Sequence, residues 1–354
     1  MPLDMNTART ARFGFTGTGS EYFRIWIVNL ALTIVTLGIY SAWAKVRRLK
    51  YFYLNTSLAG GSFDYHGDPK AILKGRIIAV ALVGIYQFSG WLSPFLGLAA
   101  AALLGLIFPW LIVRSLKFRL HNSSYRGLRF SFRGTTREGY FAFLLMPVLA
   151  VFTLYLLAPL AHQRIKRYQH TNSWYGDTRF GFSATPGKFF GLYLKLLGLA
   201  LVVILLVVGA IAVMHSPVFS NMADHSPEAR KRMAKTILLV GMSSYVLLFL
   251  VIGPWYSARV QNLVWNHTSL GPHQFVSNVQ ARGLFWIYLS NFLGILLTLG
   301  LFKPFADIRL TRYRMEHVGI IPTGSLEEIA AGPQQEITAT GEEAIGMFDF
   351  DISF

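Results

Sequence analysis

The 354-residue chain contains no cysteine, and only 14% of its residues are charged. The absence of cysteine excludes disulfide bridges and metal sites with thiolate ligands. The shortage of charge argues against a soluble protein, because an average soluble domain has roughly 25% charged residues. Hydrophobic residues make up 53% of the chain, which is far too many for a chain that is mostly disordered. The composition therefore favours a polytopic membrane protein.

Acidic residues are also scarce, and their distribution divides the chain into two parts. Residues 1–320 hold all 33 lysines and arginines and ten of the 17 acidic residues, whereas residues 321–354 hold the other seven acidic residues and no base. Basic residues beside apolar segments usually contact lipid phosphates or set the topology. We therefore expect anionic lipid headgroups as partners of the basic part, and no nucleic acid.

The acidic segment 321–354 has a composition typical of disorder over most of its length. Its last seven residues, 348–354, alternate apolar and polar side chains. Such a segment can add as a strand to an exposed sheet edge, in this chain or in a protein partner. The alternative is a free tail.

Apolar segments of membrane-spanning length recur along the chain. A spanning helix needs about 20 mostly apolar residues. Seven segments meet or approach this length, near residues 25–44, 77–89, 95–113, 140–160, 189–214, 237–256 and 284–302. The sequence thus predicts an all-α polytopic membrane protein with about seven transmembrane helices. We expect residues 1–24 to form an N-terminal strand and span entrance and not a signal peptide, residues 25–320 a transmembrane repeat domain, and residues 321–354 the tail.

An internal repeat relates the segments between the spans. Five anchor positions share one register, and an arginine stands eight residues before each of them. The anchors are Asn55, Asn122, Asn172, His267 and His317, and the arginines are Arg47, Arg114, Arg164, Arg259 and Arg309. A phenylalanine follows the first four anchors at a spacing of eight, and Phe13 begins a matching isolated segment. The unit predicts a span, a short basic interfacial helix and a small β-hairpin.

Three stretches carry a resemblance to a known family. They are GTGSEYFRIWIVN at 17–29, TLGIYSAWAKVR at 36–47 and FDYHGDP at 63–69. In these stretches the chain resembles the YjgN-like family of uncharacterised bacterial inner-membrane proteins, over most of residues 13–320. The resemblance implies a multi-pass protein of the bacterial inner membrane. It implies no activity and transfers no functional residues.

The positive charges predict an orientation for seven single spans. The face with segments 45–76, 114–137, 215–235 and 303–314 would hold 22 of the 33 basic residues, and the other face ten. The positive-inside rule then predicts an N-out and C-in topology. This topology would put hairpins that are separated by an odd number of spans on opposite sides of the membrane, whereas a repeated hairpin would normally stay on one side. Two alternatives resolve this conflict. The repeat could be inverted, as in many transporters, or a single-span segment could be re-entrant.

A few polar residues are candidates for function. Lys195, Asn29 and Asn291 fall within predicted spans and are candidates for an intramembrane polar path, although snorkelling of the lysine and bonding between helices are alternatives. The five repeat arginines are candidate lipid-headgroup contacts, or simple interfacial anchors. The nine histidines show no metal-binding spacing, so we expect no metal and no cofactor.

Two classes of function fit these features. The first is a transporter or channel-like protein for a small or lipidic solute, moving along the polar path. The alternative is a non-transporting envelope protein that binds anionic lipid, or scaffolds partners, through its repeated arginine-aromatic helices and hairpins. No pairing of a nucleophile with a base is visible, so we expect no enzyme activity.

Overall fold

The computed structural model describes residues 10–214 and 227–323. Helices and short strands alternate along it. The helices are α1 (Gly19–Val35), α2 (Ser41–Leu54), α3 (Pro69–Leu92), α4 (Pro94–His121), α5 (Thr136–Tyr140), a π-helical turn (Phe141–Leu145), α6 (Met146–Phe152), α7 (Ala158–Thr171), α8 (Pro186–Met214), α9 (Pro227–Trp265), α10 (Ala281–Leu297) and α11 (Lys303–Glu316). The strands are β1 (Ala11–Phe15), β2 (Thr56–Leu58), β3 (Gly61–Tyr65), β4 (Ser123–Tyr125), β5 (Leu128–Phe132), β6 (Ser173–Tyr175), β7 (Thr178–Phe182), β8 (Thr268–Leu270), β9 (His273–Ser277) and β10 (Val318–Ile321).

The ten strands form one closed antiparallel barrel in sequence order. Its seam joins the two ends of the described chain, because β1 pairs with β10 through Arg12 and Gly319 and with β2 through Phe13 and Leu58. A closed barrel leaves no strand edge unpaired. The predicted all-α fold was therefore wrong. The hairpins were expected, but their assembly into one barrel depends on contacts between residues hundreds of positions apart.

The barrel bore is filled by apolar side chains in matched pairs. Side chains alternate between the two faces along each strand, and directly opposed residues share a face, so both members of such a register pair point inward. The pairs are Phe13 with Leu58, Phe63 with Tyr125, Phe130 with Tyr175, Phe180 with Leu270 and Phe275 with Ile320. Ring centroids of successive phenylalanines lie 5.9 to 6.4 Å apart. These side chains form one hydrophobic cluster, so the bore is a packed core.

The five anchors join the helices to the barrel through the same contacts. Each anchor side chain bonds to the backbone carbonyl four residues earlier, as Asn122 Nδ2 donates to the Phe118 carbonyl at 2.9 Å. Each anchor carbonyl also accepts a backbone N–H from the residue after a neighbouring strand, as it does from His66 at 2.7 Å. The anchor thus ends its helix and starts the next strand, which explains why Asn or His recurs there.

The helices form five antiparallel hairpins on one end of the barrel. Each helix or helical block packs against the next along the chain, and α1 packs against α11, which closes a ring. All helices leave from the same end because every odd strand leads into a helix and every even strand follows one. The tight turns between strands lie at the opposite end. We call these the helix end and the turn end.

Two hairpins are long and three are short. Within residues 10–214 and 227–323, three helices have the length and hydropathy to cross a membrane, namely Pro69–Leu92, Pro94–His121 and Pro186–Leu206 of α8. The segments near 25–44, 140–160 and 284–302 each fold as helix, turn and helix. The prediction of seven single spans was therefore wrong, because the chain reverses direction within each of these three segments.

The turns of the three short hairpins share one construction. Thr36, Thr153 and Thr298 end the first helix, and each hydroxyl donates to the carbonyl four residues earlier while accepting a backbone N–H from four residues later. The next residues have positive φ, at Gly38 (92°) and Gly300 (96°) among others. Glycine adopts this backbone without a steric penalty. Hydropathy averaged over a window of residues does not reveal such a turn, because glycine is frequent in membrane helices and a single threonine lowers the average little.

Candidate lipid-headgroup site

The five repeat arginines lie at one height above the helix end of the barrel. Each stands eight residues before its anchor on the second helix of a hairpin, which corresponds to about 12 Å at 1.5 Å per residue. A bulky apolar residue stands one turn further from the barrel, at about 18 Å. These residues are Trp43, Trp110, Leu160, Trp255 and Phe305. The arrangement puts an aromatic level directly above a cationic level, as in side chains at a membrane interface.

Two of the arginines lie against their tryptophan. The Arg114 guanidinium is 5.2 Å from the ring centroid of Trp110, and Arg259 is 6.0 Å from Trp255. Arg259 is exposed, and Arg114 is half-buried. Both belong to the long hairpins. A guanidinium at this distance from an indole face is stabilised by the ring electrons, by about 0.5 to 1 kcal/mol at exposed sites.

Two other arginines are oriented by an asparagine of the preceding helix. Arg47 Nη1 donates to Tyr40 Oη at 3.0 Å and to Asn29 Oδ1 at 3.4 Å. Arg309 Nη1 donates to Asn291 Oδ1 at 2.9 Å, and its Nη2 donates to Ser290 Oγ at 3.0 Å. The structure thus brings together residues that the sequence assigned to two different roles. Asn29 and Asn291, predicted to line a polar path, accept hydrogen bonds from Arg47 and Arg309, predicted to contact headgroups.

Arg164, the fifth arginine, differs from the others. Leu160 replaces the aromatic residue one turn above it, and its Nε is buried without a hydrogen-bond partner among the described residues. It is half-buried on α7, between the π-containing first block of its hairpin and α8. An unpaired buried N–H is costly, typically about 1 to 3 kcal/mol.

Lys195 lies at the level of the arginines. It is the tenth residue of α8 and is exposed, so its Cα stands about 13 Å above the helix end of the barrel. Within the described ranges, no hydrogen bond joins any two of Lys195, Asn29 and Asn291. The polar path through these three residues stays a prediction.

Two hollows lie on the surface of the described residues, away from the repeat arginines. One of about 440 Å³ lies at the tip of the α3–α4 hairpin, between Tyr86 and Trp91 and the first turn of α4. The other, of about 230 Å³, lies beside the barrel seam between Arg12 and His317. Neither is lined by a predicted path residue.

Sequence reasoning missed the hydroxyl partners of the two asparagine-held arginines. Tyr40 stands seven residues before Arg47, which is about two helical turns, and Ser290 precedes Asn291 directly. Helical spacing is a signal that could have found Tyr40. Ser290 could be found only once α10 and α11 are known to form a hairpin, because hydrogen bonds between helices depend on their packing.

A Ser-His-Asp group on the barrel wall was not expected from the sequence. His66 Nε2 and Ser124 Oγ are 2.8 Å apart, and His66 Nδ1 is 3.9 Å from Asp64 Oδ2. The second distance is too long for a hydrogen bond, and Ser124 is only 2% exposed. The group therefore lacks the hydrogen bond that orients the base in a catalytic triad, and its hydroxyl has no access to a substrate.

The prediction that segment 348–354 adds to a sheet edge falls outside the described residues. In the described part of the chain every strand has two neighbours, so the barrel offers no edge for it. Residues 10–214 and 227–323 also contain no cluster of three His, Asp or Glu side chains that could hold a metal ion.

Comparisons with known proteins agree with the resemblance in the sequence. The model of a bacterial protein family of unknown function, DUF898, matches residues 10–347. "Inner membrane protein YjgN" of Salmonella typhimurium (strain LT2) is 28% identical over 347 residues, covering 86% of this chain and 87% of that protein. The protein of the same name from Escherichia coli K12 is 30% identical over 143 residues, or 39% of this chain and 35% of that protein. No solved structure matches the chain.

Proposed function

This chain belongs to the DUF898 family of bacterial proteins of unknown function, and on that premise we propose that it is an inner-membrane protein that binds anionic phospholipid in the cytoplasmic leaflet. The proposal rests on the two levels of repeated side chains, arginine below and an aromatic or leucine above, around the helix ring. Arg47, Arg259 and Arg309 are exposed there. The relatives named inner membrane proteins support the location.

The helix lengths support a membrane boundary at the aromatic level. Along α4, Pro94 stands 28 residues before the anchor Asn122, which is about 42 Å. The tip of this hairpin is therefore about 24 Å beyond Trp110, close to the thickness of a hydrocarbon core. Trp91 and Phe95 at that tip are 81% and 77% exposed. Aromatic residues would then mark both interfaces.

The short hairpins support a shallow insertion into the near leaflet. Their tips stand only about 22 Å above the anchors, a few ångströms beyond the aromatic level. The tip residues Leu37, Leu154 and Leu299 are 94%, 87% and 95% exposed, which favours contact with acyl chains rather than water. Lys303 begins α11 near one tip and pairs with Asp307. A charged pair there fits insertion to the acyl boundary and not a full crossing.

The basic residues support a cytoplasmic barrel. Four of the 33 lysines and arginines stand at the far end of a long hairpin, at positions 230, 231, 232 and 235. Most of the others belong to the strands and to the helix segments nearest the barrel. The positive-inside rule then favours the barrel side as cytoplasmic. Since β1 pairs with β10, residues 11–15 and 318–321 share that side, in contrast to N-out and C-in.

Lipid binding is favoured over transport by what fills the barrel. Its bore holds phenylalanine, tyrosine, leucine and isoleucine in contact with one another, which opposes passage of a polar solute. The exposed arginines, in contrast, lie where lipid phosphates would lie if the aromatic level marks the interface. Arginine binds phosphate through two parallel N–H donors.

The test is a lipid-dependent stability measurement on purified protein in neutral detergent. Phosphatidylglycerol should raise the thermal unfolding temperature more than phosphatidylcholine does. The triple variant Arg47→Gln, Arg114→Gln and Arg309→Gln should lose this difference. A charge-matched control changes Arg126, Arg129 and Arg179 of the barrel exterior to glutamine and should retain it. Equal stabilisation of both triple variants by phosphatidylglycerol would refute the proposal.

A further inference from the structure

We propose that the chain binds two phospholipid phosphates at defined sites, each formed by an arginine that a buried asparagine of the preceding helix orients. The first site consists of Asn29, Tyr40 and Arg47, and the second of Ser290, Asn291 and Arg309. We call them the first and second cup. The inference rests on the proposed lipid-binding function and names the residues that would make it specific.

The two cups occupy equivalent places on neighbouring hairpins. Asn29 stands 14 residues after Phe15, the last residue of β1, and Asn291 stands 14 residues after Ser277, the last residue of β9. Helix α1 of the first hairpin packs against α11 of the second. The corresponding positions of the other three hairpins hold Ala79, Met146 and Leu196. The fold therefore does not require an amide at this place.

Each asparagine is buried while its arginine is exposed. Asn29 and Asn291 are 7% and 8% exposed. In the second cup Asn291 Nδ2 donates to the Ala306 carbonyl at 3.2 Å, which turns Oδ1 toward Arg309. A buried amide held by backbone is a rigid support, so the guanidinium is oriented before any ligand binds.

The guanidinium groups keep donors for a ligand. Arginine has five N–H donors in one plane. Arg309 uses Nη1 and Nη2 for Asn291 and Ser290, and Arg47 uses Nη1 for Tyr40 and Asn29. The remaining donors have no acceptor among the described residues. Both side chains are exposed, so a phosphate can accept two parallel N–H bonds from each.

The surroundings favour a lipid phosphate over a free one. Tyr40 stacks on Trp43 with ring centroids 6.2 Å apart, and Phe302 stacks on Phe305 at 5.6 Å beside the second cup. Leu37 and Leu299 lie just above the cups, in the apolar tips. A phospholipid offers both a phosphate for the arginine and acyl chains for these apolar groups, whereas inorganic phosphate offers only the first.

Asparagine-to-aspartate variants test the cups without removing either arginine. Asn29→Asp and Asn291→Asp put a carboxylate against each guanidinium, which would neutralise it and compete with phosphate. Native mass spectrometry of the detergent-solubilised protein should then show the two tightest phosphatidylglycerol molecules bound about tenfold more weakly. Asn278→Asp, an exposed change of the same charge on the β9–α10 connection, should leave their affinity unchanged. Equal retention in the double variant and the Asn278 control would overturn the cups.

Two further measurements separate the explanations. In an Arg309→Gln background, Asn291→Asp should have no additional effect on lipid affinity, because the asparagine acts through the arginine. An undiminished effect there would mean a structural role and would refute the second cup. Millimolar inorganic phosphate should displace little of the bound lipid, and displacement at equal affinity would assign the cups to a free anion. If the triple arginine variant also binds phosphatidylglycerol normally, the proposed function itself fails.

Discussion

Truncation of Phe180 in the barrel bore should destabilise the protein strongly. The ring is 6% exposed, and its centroid lies 6.4 Å from that of Phe130 and 6.1 Å from that of Phe275. Replacing such a ring by alanine typically costs about 3 to 5 kcal/mol, the sum of lost transfer free energy and a residual cavity. The other bore side chains are held by a closed backbone and can move little into the cavity left by the ring. We therefore expect a loss of unfolding free energy in the upper half of this range.

The measurement is unfolding of the purified protein in mixed micelles of increasing SDS content, followed by near-UV circular dichroism. Phe152→Ala is the matched control, because this ring is 82% exposed at the tip of a short hairpin. It should change the free energy of unfolding by less than about 1 kcal/mol. If Phe180→Ala costs no more than this control, the bore is not a packed core.

A double-mutant cycle sharpens the test. Phe180→Ala and Phe275→Ala remove neighbouring rings and should be coupled by about 0.5 to 1.5 kcal/mol. Phe180→Ala and Phe13→Ala remove rings of β7 and β1, which lie four strands apart around the barrel rather than the two that separate β7 from β9, and their costs should add. Equal coupling in the two cycles would contradict the order of strands around the barrel.

Three further outcomes follow from the fold. The wild-type chain has no cysteine, so a cysteine pair at Ala11 and Ile320, opposite each other across the seam, should form a disulfide on mild oxidation that changes the mobility on denaturing gels; failure of this disulfide to form would contradict the pairing of β1 with β10. Single cysteines at the barrel turns should all react with an impermeant maleimide added to one side of the membrane, and Leu92→Cys should react from the other side. Turns that react from different sides would instead support single spans. The turn positions are Ala59, Arg126, Asp177 and Pro272. Burial and the nearby Lys166 ammonium lower the pKa of His170 to about 3, so the unfolded chain binds a proton at His170 below about pH 6.5 and the folded protein does not. Between pH 7.5 and pH 5 this histidine alone should therefore lower the free energy of unfolding by about 2 kcal/mol. The variant His170→Gln should lose that much less stability over the same range, and an equal or larger loss in the variant would contradict a buried neutral histidine at this position.

Local spacing was enough to find the residues that repeat. The register of Asn172 with Arg164 and Phe180 is visible in the sequence because each residue contacts its own helix or the strand next to it. The hydrogen bond of Asn172 to the Tyr168 carbonyl is a helix-end contact of the kind that short motifs encode. Candidate headgroup contacts at the arginines could be proposed for the same reason.

Hydropathy, in contrast, misjudged the three short hairpins. The window at 284–302 contains the end of α10 and the turn after Thr298, and every residue of that turn is apolar or small. Lys303 and Asp307 begin the next helix immediately afterwards. An average over about 20 residues hides the reversal, because the signal is one threonine and one glycine with positive φ.

The pairing of Asn291 with Arg309 could not be read from either residue alone. It requires that α10 and α11 run antiparallel, which the misread span excluded. A single span over 25–44 likewise separates Asn29 from Arg47, so the sequence predicts a transport path at the two asparagines and lipid contacts at the two arginines. In the helical hairpins each asparagine instead accepts a hydrogen bond from its arginine.

The amino-acid sequence by itself indicated a membrane protein, showed the five-fold recurrence of arginine and phenylalanine, and was enough to recognise the family. These features depend on composition and on residues close together in the chain, so they do not require knowledge of distant contacts. Only the tertiary structure decided that Phe13 and Ile320 lie in one bore, that β1 and β10 meet at a seam and that three apparent spans turn back. Closure joins residues about 300 positions apart, and such contacts depend on the stacking of all five hairpins rather than on any local preference.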